Sequence, residues 1–137
     1  MKQFILIAFL LLAASCLRAQ ETILGKTEKD VLEYNNSTSV QAVFVRKTQL
    51  SDSNKMLTFH PKDDTYVELM YIFNADDVCI MYTISEPKVR LIDVLRELNS
   101  KYNKIDDNKW VTINNEIVIE LTIMNNIDEF DLTFEKI

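Results

Sequence analysis

The chain has 137 residues, 47% apolar and 26% charged, with a formal net charge of −6, which is the size and composition of one globular domain. Its single glycine, Gly25, excludes the dinucleotide fingerprint, the P-loop and the Gly-flanked nucleophilic serine, which need several backbone positions without a Cβ. Its single histidine, His60, excludes the usual zinc sites and argues against a Ser/His/Asp engine.

Residues 1–19 read as a cleaved export signal. Lys2 is a short basic start, and residues 4–14 form an uninterrupted apolar run of 11 residues. A helical membrane span needs about 20 residues, so this run is too short to cross. Its end has two readings. A cut after Ala19 leaves Gln20 first and a periplasmic or secreted domain. Alternatively, Ala13, Ala14 and Ser15 before Cys16 resemble the bacterial lipobox, with Ala13 where leucine is usual. Cys16 would then carry lipid and tether the domain to the outer membrane, its only membrane contact. Residues 20–137 form a single domain. After the Ala19 cut, 13 basic residues face 21 acidic ones, a balance of −8 that opposes binding to nucleic acid. Cys79 is then the only cysteine, so no disulfide within the chain is available.

The first element is a short helix. Thr27 and Asp30 match a capping box, Val31 and Leu32 face inward, and Asn35 and Asn36 close it. Four strands follow, at residues 40–48, 56–60, 66–73 and 78–84. The last two flank the turn 74–77 as a hairpin, and the even loop sets the parity of pairing. Opposing Phe73 to Val78 sets Tyr71 against Ile80, Leu69 against Tyr82 and Val67 against Ile84, on a core face. The other face then carries Met70, Ile72, Cys79 and Met81.

A second helix is expected from a Ser85 cap and Pro87 in the first turn, with Leu91, Val94, Leu95, Leu98 and Tyr102 inward and Ile92 widening that stripe. It should end near Asn103. Three strands close the chain at 109–113, 116–124 and 129–136. Pairing Ile123 with Phe130 brings Leu121 opposite Leu132 and Ile119 opposite Phe134, and Trp110 lies opposite Ile119. One face is apolar and the other is largely polar, the alternation of an antiparallel sheet with one wet side. The expected fold is therefore α+β, an antiparallel sheet of about six to seven strands with two helices packed on one face, in the order α-ββββ-α-βββ. The two halves share a plan, a helix followed by a meander. Asparagine takes the turn positions where glycine is common, at Asn74, Asn114, Asn115, Asn125 and Asn126.

Residues 24–31, running Leu24, Gly25, Lys26, Thr27, Glu28, Lys29, Asp30, Val31, resemble the Gly-x-Thr-x-x-x-Val opening of small exported bacterial lipoproteins of the outer-membrane assembly type. Like the beta-lactamase inhibitor protein class, those domains set helices on one face of an antiparallel sheet. The resemblance covers eight residues and lacks the family's second glycine. It implies a non-catalytic envelope binding domain and transfers no functional residue.

Candidate chemical sites reduce to simpler readings. His60 ends a strand, and the linear sequence supplies no nucleophile and orienting carboxylate for it. The pairs Asp63–Asp64, Asp76–Asp77 and Asp106–Asp107 lie in turns, where aspartate bonds the backbone, and lack the alternating calcium-loop spacing. Cys79 has no cation beside it in sequence to activate a thiolate, and Trp110 reads as core. No catalytic, cofactor-binding or metal-ligating residue is assigned. The surface singled out is Met70, Ile72, Cys79 and Met81, an adaptable apolar patch suited to a protein partner if the helices cover only the opposite face. The expected function is an exported, non-catalytic envelope domain that binds another envelope protein. The alternatives are a small-ligand carrier or unusual hydrolase using a helix–sheet pocket, and a structural lipoprotein.

Overall fold

The computed structural model describes residues 23–37 and 40–137; the expected signal and Cys16 lie outside them. Helix α1 spans Glu28–Asn36 and begins on the expected capping box. The Thr27 hydroxyl accepts from the Asp30 amide at 3.3 Å, and the Asp30 carboxylate accepts from the Thr27 amide at 3.1 Å. Just before it, Ile23 and Leu24 are buried. The Gly25 amide donates to the Cys79 carbonyl and the Cys79 amide to the Lys26 carbonyl, each at 2.8 Å. Gly25 sits at φ +89°, where a Cβ would also meet Lys136 Nζ at 3.1 Å, so the conformation here calls for glycine.

A first meander follows: β1 (Ala42–Gln49), β2 (Lys55–Pro61), β3 (Glu68–Phe73) and β4 (Cys79–Pro87). A 3-10 turn at Lys88–Arg90 leads into α2 (Leu91–Lys101). The second meander is β5 (Asn103–Asp106), β6 (Lys109–Val111), β7 (Ile117–Ile123) and β8 (Glu129–Lys136). All eight strands join one antiparallel sheet in the order β1-β2-β3-β4-β8-β7-β6-β5. The fold is α+β with the order α-ββββ-α-ββββ. The strand missing from the expected order is β5, whose four residues are all exposed, so no face of it is marked by apolar alternation.

Several local expectations are corrected. Ser85 does not cap α2; it is buried inside β4, because pairing with β8 carries that strand on to Pro87. The helix starts four residues beyond Pro87, and Ile92 is 71% exposed on its outer side. The β3–β4 register also differs: Tyr71 opposes Tyr82 and Leu69 opposes Ile84, and a bulge falls between Ile72 and Phe73. The bulge inverts the start of β4. Cys79 therefore turns into the core opposite Phe73 while Ile80 turns outward. The register of the last hairpin and of Trp110 with Ile119 is as expected.

The two meanders have matching strand order and register on either side of the β4–β8 seam. Thr83 faces Thr133 there, their hydroxyls 3.2 Å apart. The sequence offset between these two threonines also carries Leu69 onto Ile119, Tyr71 onto Leu121, Tyr82 onto Leu132 and Ile84 onto Phe134. Each pair is similar in burial but different in identity, so the correspondence lies in register and not in residues.

The core lies on one side of the sheet. Phe44, Phe59, Tyr71, Tyr82 and Phe134 form an aromatic row across β1, β2, β3, β4 and β8, with successive ring centroids 4.7–5.7 Å apart. Such contacts contribute about 0.5–1.5 kcal/mol each beyond burial, and the last one crosses the seam. Both helices pack on this side. Val31 of α1 and Leu98 of α2 are fully buried in the same cluster. Each helix also receives a hydrogen bond from a core aromatic near its C-terminal end. The Tyr71 hydroxyl donates to Asn35 at 3.2 Å, and Trp110 Nε1 donates to Asn99 at 2.9 Å.

Candidate functional site

Because both helices occupy the core side, the other side of the sheet carries its own surface, with no helix over it among the described residues. Strand alternation assigns the positions. On β2, β3 and β4 the outer residues include Met56, Met70, Ile72 and Met81, all half-buried. Met56 opposes Ile72, and Ile72 opposes Met81, so an apolar row crosses three adjacent strands; Met70 flanks it opposite Thr83. Of the four residues singled out from the sequence, Met70, Ile72 and Met81 are brought together on this face. Cys79 is not. It is 1% exposed, burial pushes its thiol up to about 12, and the bulge places it among core side chains. Met56 belongs to the row and was missed, because only the register of β2 on β3 places it there.

Beyond β4 the face changes character. The outer residues of β8 are Glu129, Asp131, Thr133 and Glu135, and Glu135 directly opposes Met81. On β7, Glu120 forms an ion pair with Lys109 at 3.3 Å, and on β3, Glu68 approaches Arg46 at 3.7 Å. No ion pair joins Glu129, Asp131 or Glu135 to a described cation. The Ser85 hydroxyl donates to Glu129 at 3.4 Å. Asp131 Oδ1 and Thr58 Oγ1 are enclosed on this side without a hydrogen-bond partner among the described residues. The polarity of β8 is legible from its alternation. Its position beside Met81 is not, since that depends on β4 pairing with the last strand of the chain.

The other candidates resolve locally. His60 lies on the outer side near the end of β2, Nδ1 2.9 Å from the Pro61 carbonyl. Asp64 pairs with Arg90 and accepts from the Tyr66 amide at 3.2 Å. Asp77 takes a positive φ of 63° in the β3–β4 turn and pairs with Lys55. Asp106 accepts from the Asp107 amide at 2.7 Å. Trp110 is fully buried. No group of three His, Cys, Asp or Glu able to hold a metal ion occurs among the described residues. An open depression of about 330 Å³ lies between the end of α1 and the start of β1, lined by Asn35, Asn36, Gln41, Ala42, Val43 and Lys62, and His60 is not in its wall.

Two clusters of charge tie the core side together. Lys55 pairs with both Glu28 and Asp77, and Lys47 reaches Glu28 at 3.0 Å. Partial burial works to raise the Glu28 carboxyl, but the hydrogen bonds from Lys55 and Lys47 outweigh it and hold it below its ordinary value. At the start of α2, burial raises the Glu86 carboxyl against the opposing pull of Arg90, which lies 3.5 Å away and also pairs with Asp64. Both clusters brace loops against the sheet.

No protein family, curated protein or solved structure matches this chain. Among the described residues, no helix is long and apolar enough to cross a membrane.

Proposed function

We propose that this is an exported, non-catalytic envelope domain that works by binding another protein through the outer face of its sheet. The observation that carries this reading is the apolar row Met56, Ile72 and Met81, with Met70 beside it, on the side of the sheet that neither helix covers. Unbranched methionine side chains adapt to the contour of a partner, and a contiguous apolar surface on a small acidic domain is favourably buried by one. The apolar run at residues 4–14 supports export, with Cys16 as the lipidated residue or as part of the discarded segment.

The test is the pair Met70→Asp with Met81→Asp. The expected result is a variant that melts cooperatively with a native circular dichroism spectrum but no longer captures its partner from envelope extract. Undiminished capture by the folded variant sinks the proposal; if the aspartates unfold the sheet, the same test is read on Ile72→Ser. Incorporation of labelled palmitate, abolished by Cys16→Ser, decides between the two ends of the signal.

A further inference from the structure

We propose that the outer face receives a positively charged protein segment, with apolar side chains seated on Met70, Ile72 and Met81 and Lys or Arg side chains over Glu129, Asp131 and Glu135. This rests on the protein-binding reading above and adds the chemistry of the partner.

The three carboxylates share the outer side of one central strand. Glu129 and Asp131 are neighbours in that alternation, about 7 Å apart, and Glu135 lies two outer positions beyond Asp131. Like charges on one strand face repel unless something neutralises them. Elsewhere on this face the protein supplies its own cations, Arg46 for Glu68 and Lys109 for Glu120. On β8 no cation among the described residues does so. The uncompensated charge is therefore confined to the strand that borders the apolar row.

The spacing suits a single segment. Ile72 opposes Met81 and Met81 opposes Glu135, so the apolar row and the acidic strand are one strand apart. Ile72 to Glu135 is two strand spacings, about 10 Å. About three residues of extended chain cross that distance. An apolar anchor and a basic residue two positions apart share one side of an extended segment, about 7 Å from each other, and the long Lys or Arg side chain covers the remaining distance to the acidic strand. A cation there would also offset the charge of Asp131, whose Oδ1 has no hydrogen-bond donor among the described residues. The acidic excess of the whole chain has the same sign as this strip, so the distant field and the local contacts favour the same partner.

The experiment selects short random peptides displayed on phage against the immobilised full chain. Parallel selections use Met70→Asp/Met81→Asp and the neutralised variant Glu129→Gln/Asp131→Asn/Glu135→Gln, both first checked for a native melt. If the aspartates unfold the sheet, Ile72→Ser takes their place. The expected outcome is enrichment of peptides carrying large apolar residues and net positive charge. Those peptides should bind the neutralised variant about tenfold more weakly and weaken as salt is added. Peptides without positive charge that still depend on Met70 and Met81 overturn the basic partner and leave the docking face standing. No enrichment over the methionine variant overturns both. A concentration-dependent dimer that requires Met70 and Met81 overturns the proposal in favour of a second copy of this chain.

Discussion

Replacing Trp110 with Phe tests whether the second meander is closed as described. Trp110 is fully buried in the three-residue strand β6, opposite Ile119, and its Nε1 donates to Asn99 of α2 at 2.9 Å. Trp110→Phe keeps an aromatic ring in the core but deletes that bond and leaves a void of roughly 40 Å³, which at about 24 cal/mol per Å³ costs about 1 kcal/mol. The lost hydrogen bond adds about 1 kcal/mol, and Asn99 is exposed enough to recover its acceptor from water. The expected loss is about 2 kcal/mol, a fall in melting temperature of roughly 5–10 °C for a domain of this size. Urea unfolding followed by circular dichroism measures it, since the substitution removes the tryptophan fluorescence. Combining the change with Asn99→Ala should give a coupling of about 1 kcal/mol. A loss below about 0.5 kcal/mol, or no coupling, would refute the packing of α2 on β6.

The clusters of charge and the buried thiol give further tests. The depressed Glu28 carboxyl contributes stability above its ordinary pKa of 4.5, and that contribution disappears as pH falls through its lower folded value. Lys55→Gln should therefore cost about 1 kcal/mol at neutral pH and little in strong acid, as read by denaturant unfolding across pH. Glu86 runs the other way: with its carboxyl raised above 4.5, the fold binds that proton more tightly and loses stability as pH climbs through the raised value. Glu86→Gln should flatten that decline, and an unchanged pH profile would contradict the burial of Glu86. In a Cys16→Ser background, Cys79 should resist a maleimide reagent in the folded chain and react rapidly in urea. Equal rates in the two states would show that Cys79 is exposed.

Local pattern carried much of the fold. The β7–β8 register follows from two strands that alternate cleanly, with Ile119, Leu121 and Ile123 meeting Phe134, Leu132 and Phe130. The α1 cap follows from two residues three apart, and the turn at Asn115 takes a left-handed backbone, φ 58°, at one of the asparagines expected in glycine-like positions. What pattern could not carry was any feature set by a distant partner. Ser85 looks like a cap until β8 arrives to extend β4. Residues 103–106 look like a polar connection because an exposed edge strand has no buried side to mark. The bulge beside Phe73 exchanges Cys79 for Ile80, and no local signal announces it, since both are apolar. The candidate face shows the same division. Met70, Ile72 and Met81 were legible from the parity of a single hairpin, whereas their acidic border depends on a pairing between residues 81–87 and 129–135.

The seam between β4 and β8 also dictates when this sheet can exist. Strand β8, which follows the other seven in sequence, is the one that joins the halves, and it brings Phe130, Leu132 and Phe134 with it. Until those residues emerge during synthesis, β4 and β7 are two bare edges beside an open core, the arrangement most prone to pair with the wrong chain. Lesions in β8 should consequently be read out as aggregation of the entire sheet, with the first meander failing alongside the second.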